Sequence, residues 1–400
     1  MAAGKPLYAV GLDAGSVKTR MAVCVLDGGR IRFLGSSVVD SQGWVKGKIA
    51  DQTAVAQSIE AAMREAEEAA GVSIESVVVG MGGPGMRGAN SRGVIELGHV
   101  REIEQRDVNK VVERASRVQL QEDRMVMQLF PHDFVVDDHP GHRDPRKMLA
   151  SRLEMNVHLL TCSIQEHAAL VGAVNQAHLL VEETIFEALG ASYAAVLPEE
   201  RREGIALVDI GAQSTQMVVY SGDSMNLAAP IRICGDHFTR DLAHGLTISF
   251  EDAEELKLQF GCALAENSTD TSFVELPAPD NREPRQAKRK FVAQVIEARA
   301  RELFRHVRNE LSRVGMDHSL IGGVFLTGAA ARMPDLCDVA EQELQCQARF
   351  GLPFGIQDWP DEMNDPEWSA VAGLAMYSAK LKSQAERQRE VHGWLGKILR

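Results

Sequence analysis

The sequence predicts an α/β protein with two facing lobes, and two similar stretches carry this prediction. Leu7–Val25 and Ala206–Tyr220 both have the pattern of a strand, an Asp-x-Gly turn followed by a small or hydroxyl residue, and a second strand. Glycine lets the backbone of such a turn approach an anion closely, so each turn is a candidate phosphate site. One turn alone is weak evidence, because Asp-Gly turns join many hairpins for conformational reasons. Two of them in one chain predict a phosphate ligand held between two lobes.

The composition narrows the class of protein. The 400 residues are 45% hydrophobic, which suits roughly two or three domains with real cores. The net charge of −13 argues against nucleic-acid binding, which depends on clustered Lys and Arg. The six cysteines include no C-x-x-C pair, which argues against a zinc or disulfide framework and fits a reducing cytoplasm. The first residues lead directly into a strand, and no apolar run approaches the ~20 residues that span a bilayer, so neither a secretion signal nor a membrane span is expected.

The first lobe is predicted to continue with a strand, a helix and a buried strand. The strand is expected over Arg30–Val39, and small and apolar residues recur at helical spacing over Gln52–Ala70, where Gly71 can end the helix. The short apolar run Val77–Val79 predicts the buried strand. The glycine-rich stretch Gly80–Gly88 then interrupts this alternation of strands and helices. Because no G-K-[ST] follows it, a hinge into an inserted unit is favoured over a phosphate cradle.

The more polar region Asn90–Leu160 predicts a small α+β subdomain. Its stretch Asp137–Arg146 contains two histidines and several acids, so metal binding is conceivable, but the prolines and mixed charges favour an exposed loop. The elements expected in this region are a helix at Glu104–Val118 and strands at Met125–Leu129, Phe134–Val136 and Leu153–Leu160.

Two helices, Gln165–Gln176 and Thr184–Val196, are predicted to return the chain to the first lobe, with a candidate strand at Leu179–Val181 between them. Glu187 lies on this connection, just before the second phosphate turn in the sequence. A general base that orients an attacking water would come from this region, although a glutamate on a helix is more often simply solvated. Glu187 is therefore the candidate catalytic residue.

The second lobe repeats the strand pattern of the first and adds helices. Ser249 and Asp252 form a capping box for a helix that Gly261 can end. On that helix Glu254 and Lys257 share a face, either within a site or only as a surface ion pair. The further elements expected are strands at Ile205–Asp209, Met217–Tyr220, Met225–Ile233 and Val324–Leu326, a flexible polar segment at Glu266–Lys288, and a long amphipathic helix at Lys290–Val314.

These elements assemble a candidate nucleotide site. Asp13 and Asp209, each at a strand end, could hold Mg²⁺ from opposite sides through water, since this ion dehydrates reluctantly. The small-residue turn at Gly328 would let a flat base approach the backbone. A ligand bound between two lobes lets nucleotide state set the angle between them. The side chains expected at the phosphates, with the adjacent backbone N–H groups, are Ser16, Lys18, Ser214 and Thr215.

Several stretches are similar to the motifs of a known family. G-H-R-D-P-R-K-M-L-A-S-R-L-E-M-N-V-H (Gly141–His158) is similar to the pattern G-x-R-D-P-x-x-M-x-x-x-R-L-E-x-x-V-H. Further matches are G-D-H-F-T-R-D-L-A (Gly235–Ala243), A-E-E-L-K (Ala253–Lys257) and F-L-T-G-A-A-A-R-M-P (Phe325–Pro334). With the two phosphate turns, nearly the whole chain resembles the actin, Hsp70 and sugar kinase superfamily, and within it the family of the bacterial cell-division protein FtsA.

The resemblance implies an α/β, actin-like two-lobed ATPase fold with an inserted small α+β subdomain in the first lobe, at about Gly85–Thr161. It implies ATP and Mg²⁺ as ligands, with Glu254, Lys257 and Gly328 at the nucleoside. The full set of expected nucleotide-binding residues is Asp13, Gly15, Ser16, Lys18, Asp209, Gly211, Ser214, Thr215, Gly235, Glu254, Lys257, Gly328, Ala329 and Ala330. The expected divisions are 1–84 and 162–204 for the first lobe, 85–161 for the inserted subdomain, 205–238 and 317–378 for the second-lobe core and the return to the first lobe, 239–316 for a smaller second-lobe subdomain, and 379–400 for a tether and terminal helix.

The second phosphate turn departs from the family pattern. The family usually has D-I-G-G-G-T-T-D, whereas this chain has D-I-G-A-Q-S-T-Q, so Ala212, Gln213 and Gln216 replace two glycines and an acid. Losing that acid removes an orienter of the metal-bound waters. The third turn has Ala329 where glycine is common. ATP binding is therefore expected, with hydrolysis at most slow.

The C-terminal end predicts a membrane-binding helix. After the polar stretch Ala379–Glu390, interpreted as a tether, apolar residues recur at i, i+3, i+4, i+7 and i+8 and form one continuous face. Basic residues outnumber acidic ones here, which suits a helix lying in the headgroups of an anionic leaflet; a helix docked on the protein itself is the alternative. Gly393 and Gly396 should keep binding weak, and a filament would strengthen it by avidity. The apolar face consists of Val391, Trp394, Leu395, Ile398 and Leu399.

The resemblance implies a cell-division scaffold that polymerises when ATP closes its cleft. It implies attachment to the inner face of the cytoplasmic membrane at the septum and recruitment of the tubulin-like protein FtsZ, through a surface at about Thr239–Val314. An Hsp70-like chaperone would need a substrate-binding domain after the ATPase part. A small-molecule kinase of the superfamily would need a polar substrate pocket with a catalytic acid, and would have little use for the tail. The closest rival is a type IV pilus assembly scaffold, against which the tail and the R-D-P motif favour division.

Overall fold

The computed structural model describes residues 6–222, 224–268, 271–276, 285–316 and 319–398, with side chains described up to residue 387. The strands are β1 (Leu7–Ala14), β2 (Lys18–Asp27), β3 (Arg30–Asp40), β4 (Trp44–Val45), β5 (Lys48–Ile49), β6 (Ser76–Met81), β7 (Arg87–Glu102), β8 (Arg124–Val136), β9 (His139–His142), β10 (Leu149–Ser163), β11 (Leu180–Phe186), β12 (Ile205–Ile210), β13 (Thr215–Ser221), β14 (Ser224–Ile231), β15 (Phe273–Leu276), β16 (Arg285–Lys288), β17 (Gly323–Thr327) and β18 (Ala348–Phe350). The helices are α1 (Gln52–Ala70), α2 (Gln105–Ser116), α3 (Ile164–Gln176), α4 (Glu187–Ala195), α5 (Pro198–Arg202), α6 (Gly235–Leu246), α7 (Phe250–Phe260), α8 (Arg289–Arg313), α9 (Leu336–Leu344) and α10 (Ser369–Ile398).

The first lobe is a five-stranded sheet in the order β11-β6-β1-β2-β3, with helices on both faces. The hairpin β1–β2 is antiparallel, and β6 and β11 add in parallel beside β1. Alternate residues of β1 point to opposite faces, as the pleat requires: Val10 and Leu12 pack in the core that contains α1, and Ala9 packs in the one that contains α10. Gly11 lets α10 approach closely, because a Cβ there would lie 2.5 Å from the backbone of Ala375.

Helix α1 has the predicted bounds because local signals fix both of its ends. The Asp51 side chain accepts hydrogen bonds from the N–H groups of Thr53 and Ala54, so it caps the first turn. Gly71 adopts a left-handed conformation and its N–H donates to the carbonyl of Glu67, as a C-terminal cap does. The predicted amphipathic helix is therefore confirmed.

The inserted unit is a four-stranded sheet in the order β7-β10-β8-β9, covered by α2. The sequence predicted two short strands, Met125–Leu129 and Phe134–Val136, and this was wrong because β8 is continuous. The polar residues between them stay in the strand because β10 pairs with β8 along its length. Strand β7 was not predicted, since its sequence is polar and glycine-containing and gains its order from pairing with β10. The stretch interpreted as an exposed loop, Asp137–Arg146, also contains the short strand β9, and no cluster of three metal-binding side chains occurs in the described residues.

The second lobe contains a matching five-stranded sheet in the order β14-β13-β12-β17-β18. Its core joins these strands to α6, α7, α8 and α9. The prediction that Glu266–Lys288 is a flexible segment was wrong in part, because β15 and β16 within it pair antiparallel as a hairpin. The two runs 269–270 and 277–284 of that segment lie outside the described residues.

The connection between the lobes begins its second helix later than the sequence predicted. Strand β11 continues past Thr184 because its parallel ladder with β6 extends to the pair Phe186 and Met81. Helix α4 therefore starts at Glu187, and the predicted start at Thr184 was wrong. The correction matters because it puts Glu187 at the carboxyl end of a parallel strand, where ligands of α/β sheets commonly bind.

The C-terminal helix α10 runs without a break through the stretch predicted to be a tether, so Ala379–Glu390 is helical. Its early part packs on the first lobe: Ala379 is buried, and Lys382 forms an ion pair with Glu182 at 2.7 Å. Of the predicted membrane-facing residues, Val391, Trp394, Leu395 and Ile398 have no described side chains, and Leu399 lies outside the described residues. Within the described part of the chain, no helix is long and apolar enough to cross a membrane. The division boundaries given from the sequence stay predictions.

Candidate nucleotide cleft

A cavity of about 1140 Å³ lies between the two lobes and gathers the predicted site residues. Thr215 is the exception: it opens β13, and its side chain is buried within the second lobe instead of lining the cavity. The predicted residues that do line the cavity are Asp13, Gly15, Ser16, Lys18, Glu187, Asp209, Gly211, Ser214, Gly235, Glu254, Lys257, Gly328, Ala329 and Ala330. Their roles toward a nucleotide stay predictions.

The two phosphate turns face this cavity and are folded in the same tight way. In the first, a Cβ on Gly15 would lie 2.7 Å from the carbonyl oxygen of Lys18. In the second, the N–H of Gly211 donates to the carbonyl of Ser214 at 2.8 Å. Helix α6 begins beside the second turn, where the N–H of Gly235 donates to the carbonyl of Gly211 at 2.9 Å. This places a helix N-terminus, with its partial positive charge, at a candidate phosphate position.

Three carboxyl groups line the cleft: Asp209 is buried, and Asp13 and Glu187 are half-buried. Burial raises the pKa of Asp13, and the positive charge of Arg20 opposes that rise. Burial also raises the pKa of Asp209 to about 6. The hydrogen bond that Thr327 Oγ1 donates to Asp209 Oδ1 at 2.9 Å acts in the opposite direction and lowers this pKa. Burial, with the charges of Asp13 and Asp209 added, raises the pKa of Glu187 well above its usual range. A divalent cation would stabilise the ionised forms of these groups. Because no three such side chains of the described residues are grouped closely enough to bind a metal directly, the arrangement fits Mg²⁺ only with water completing its coordination.

Arg20 is a cleft residue that the sequence reasoning missed. It lies opposite Asp13 in the β1–β2 ladder, so the two side chains share a face of the sheet. One guanidinium nitrogen lies 2.7 Å from Glu367 Oε2, while Nε has no hydrogen-bond partner in the described structure. The hairpin register could have revealed it, because counting back from the turn pairs this arginine with the aspartate.

Helices α6 and α7 bring together a polar cluster at the wall of the cavity. Lys257 Nζ lies 2.6 Å from Glu254 Oε2 and donates to Thr239 Oγ1 at 2.9 Å. Lys257 is only 8% exposed. The alternative of a surface ion pair is therefore wrong, because the lysine is buried at the wall of the cavity.

The turn after β17 closes the floor of the cavity. Gly328 has φ +86° and ψ +161°, a conformation that is essentially restricted to glycine. A Cβ at this position would lie 2.5 Å from the carbonyl oxygen of Ile210 in the neighbouring strand. The glycine therefore lets this turn pass directly under the end of β12, next to Asp209.

The family of the chain follows from comparison with known proteins. A family model described as cell division protein FtsA matches residues 206–373, and one described as the SHS2 domain inserted in FtsA matches residues 83–161. The cell division protein FtsA of Pseudomonas aeruginosa is 32% identical over 375 residues, which cover 94% of this chain and 90% of that protein. This chain belongs to the FtsA family. Another FtsA, that of Escherichia coli K12, is 30% identical and covers 97% of this chain and 94% of that protein.

Solved structures agree on the fold. A PilM–PilN type IV pilus biogenesis complex matches with a TM-score of 0.69 at 17% identity, covering 92% of this chain and 98% of that one. MreB5 of Spiroplasma citri bound to ADP matches with a TM-score of 0.58 at 14% identity, covering 95% and 98%. At these identities the likeness shows the fold alone. The predicted actin-like fold with a subdomain inserted in its first lobe is confirmed, as is the resemblance to FtsA.

The residues at which the chain departs from the FtsA pattern reach the first lobe. Gln216 Nε2 donates a hydrogen bond to Glu187 Oε2, so the residue in place of the family's acid contacts the candidate base. The glycine-rich stretch Gly80–Gly88 lies against this pair, since a Cβ on Gly80 would lie 2.8 Å from Glu187 Cγ. The sequence did not predict these contacts, because they join segments that are far apart in the chain.

Proposed function

We propose that this FtsA-family protein is an ATP-binding scaffold of cell division that self-associates, binds the inner face of the cytoplasmic membrane at the septum and recruits FtsZ. The observation that carries the nucleotide part is the cleft itself: two phosphate turns, three carboxyl groups and the Glu254–Lys257 pair line one cavity of about 1140 Å³. A cavity of this size, between lobes and with a few convergent polar groups, is the usual form of a ligand site. The two MreB5 structures, of the same fold, are described as bound to ADP and AMPPNP.

The proposed roles follow from position. Asp13 and Asp209 would hold Mg²⁺, which would neutralise charge on the phosphates when it is bound. The backbone N–H groups of the two turns, with Ser16 and Ser214, would bind the phosphates. Lys18 Nζ lies 2.5 Å from the exposed Asp40, so it would exchange this partner for a phosphate. Glu187 would accept a proton from an attacking water, a role that needs its carboxyl group to be ionised.

The nucleoside would lie at the other end of the cavity. Gly328, Ala329 and Ala330 leave room for a flat base, because none of them carries a side chain larger than a methyl group. Lys257 and Glu254, already hydrogen-bonded to each other, would contact the ribose. Any hydrolysis is proposed to be slow.

The membrane and partner parts of the proposal rest on the sequence and on the family. The residues of α10 from Gln384 to Arg387 are exposed, so the last part of the helix with described side chains is not packed on the core. The apolar face predicted for residues 391–399 would then be presented to anionic headgroups. FtsZ would bind the smaller second-lobe subdomain, about Thr239–Val314.

The nucleotide site is tested by calorimetric titration of ATP with and without Mg²⁺. Replacing Asp209→Asn keeps the shape and removes a charge that would hold the metal, so we expect the Mg²⁺-dependent gain in affinity to fall about tenfold, as losing a charged partner does. Asp27→Asn, at an exposed strand end, is the matched control and should bind as the wild type does. Failure of the wild-type protein to bind ATP at all would overturn the proposal.

A further inference from the structure

A small flap in the first lobe touches the second phosphate turn across the cleft. The flap is the hairpin of β4 and β5, Trp44–Ile49, and its tip is Gly47. The backbone N–H of Gly47 donates to Gln213 Oε1 at 2.8 Å. Gln213 lies in the turn between β12 and β13, so this hydrogen bond joins the two lobes.

The flap also has contacts within the first lobe. Lys48 Nζ lies 2.7 Å from Glu166 Oε1 on α3, which anchors the hairpin to the first lobe. Gly47 has φ +71°, and a Cβ there would lie 3.1 Å from Pro84 in the glycine-rich stretch. These contacts connect the flap to the first lobe, so separating the lobes would break the hydrogen bond to Gln213.

A second side chain of the same turn region also crosses the cleft. Gln216 is fully buried in β13, and its Nε2 donates to Oε2 of Glu187, the first residue of α4 in the other lobe. Gly82 makes the approach possible, because a Cβ on it would overlap both the Gln216 amide and the Glu187 carboxyl group. Gln216 Oε1 has no partner in the described structure, so the contact with Glu187 is what holds this amide.

We propose that Gln213 and Gln216 are positioning residues that hold the lobes together at the phosphate end of the cleft and so slow nucleotide release. The proposal rests on the nucleotide site proposed above and adds a determinant of its kinetics. The chemistry of the two side chains is what matters. A glycine at position 213 would offer Gly47 no side-chain acceptor, and an acid at 216 would place a second carboxyl group against Glu187 in place of an amide donor.

Hydrogen exchange of the flap tests the Gln213 contact without any nucleotide. In Gln213→Ala the Gly47 N–H loses its acceptor, so peptides covering 44–49 should exchange about three- to tenfold faster than in the wild type. Gln213→Glu keeps an acceptor of the same reach and should retain the protection. Gln57→Ala, exposed on α1, is the control. Equal exchange in the wild type and Gln213→Ala would overturn the proposed contact.

Release of a fluorescent ATP analogue, measured by stopped flow with Mg²⁺, tests the consequence. Gln213→Ala and Gln216→Leu each lose one cross-cleft bond, so each should release the analogue about three- to tenfold faster, while Gln57→Ala matches the wild type. Thermal melting shows whether each variant is folded. If Gln216→Leu does not fold, Gln213→Ala, which is altered only in a loop, still provides the test. Unchanged release from folded variants that bind the analogue would overturn the proposal. If the wild-type protein binds no analogue, both the proposed nucleotide site and the proposed slowing of release are overturned. Hydrogen exchange of the flap would still test the contact between Gly47 and Gln213.

Discussion

At the scale of single residues, the cleft concentrates groups whose placement is costly without a ligand. Asp13, Asp209 and Glu187 lie near one another, and each has a raised pKa because removal from water disfavours its charged form. Arg20 offsets part of this charge. Binding of a cation would lower these pKa values and release protons, so metal binding and protonation are linked.

Gly328→Ala should be among the more destabilising small substitutions in the protein. Alanine would have to adopt φ +86° and ψ +161° and would place its Cβ 2.5 Å from the Ile210 carbonyl. We expect the free energy of unfolding to fall by about 3 kcal/mol, measured by urea denaturation. Gly315→Ala, with φ +70° and no atom within 4 Å of the added Cβ, isolates the cost of backbone strain and should lose about 1 kcal/mol. Equal losses at the two sites would contradict the steric part of this account.

Sequence reasoning found the cleft residues that are marked by local pattern and missed those defined by contacts. Asp13 and Asp209 were predicted because each follows an apolar strand and precedes a glycine turn. The contacts of Gln213 and Gln216 were not, because they depend on the distance between two lobes. Thr215 was assigned to the phosphates by sequence adjacency, but the strand pleat turns its side chain into the second lobe.

At the scale of elements, the predictions succeeded where local signals agree and failed where pairing decides. Helix α1 has a cap, an apolar stripe and a terminal glycine, and the predicted bounds match. Strand β7 and the middle of β8 have polar sequences, and they are strands because β10 hydrogen-bonds to both. The start of α4 was placed too early, because the ladder between β6 and β11 extends the strand beyond the point that propensity suggests.

Removal of the α1 cap tests how far that helix depends on its own sequence. Asp51→Ala takes away the acceptor for the N–H groups of Thr53 and Ala54. The free energy of unfolding should fall by about 1 kcal/mol, as judged from chemical denaturation. Asp51→Asn retains a side-chain oxygen and should stay close to the wild type. If both variants lost the same stability, the charge of Asp51 and not its capping bond would be responsible.

At the scale of the whole molecule, the inserted unit is packed against the second lobe as well as the first. His158 of β10 is 1% exposed and accepts a hydrogen bond through Nε2 from the N–H of Ala228 in β14, at 3.0 Å. Its Nδ1 lies 2.6 Å from Asn90 Oδ1, and Nε2 lies 3.2 Å from the carbonyl oxygen of Ala228 as well. With Nδ1 as the donor to Asn90, Nε2 is the acceptor from Ala228 and the ring is neutral. The inserted unit and the second lobe therefore share a buried contact that depends on an uncharged histidine.

Acid should weaken this contact. Burial lowers the pKa of His158 to about 4, below its ordinary value of about 6.5. Its contribution to stability is therefore fully present above about pH 6.5 and is lost as the pH falls toward 4, by about 3 kcal/mol in all. Melting temperatures recorded from pH 7.5 to 4 should fall less steeply in His158→Gln than in the wild type. Parallel curves for the two proteins would show that His158 does not carry this dependence.

The most direct test of the proposed scaffold is co-sedimentation with anionic liposomes, with and without ATP and Mg²⁺. The full chain is compared with one ending at Ser383, which keeps the Lys382–Glu182 contact and removes the terminal turns of α10. The account predicts that only the full chain pellets and that ATP increases the pelleted fraction. It also predicts that FtsZ pellets with the liposomes only when the full chain is present. If both chains stay in the supernatant, or both pellet equally, the terminal helix is not a membrane anchor and the proposed membrane-bound scaffold is contradicted.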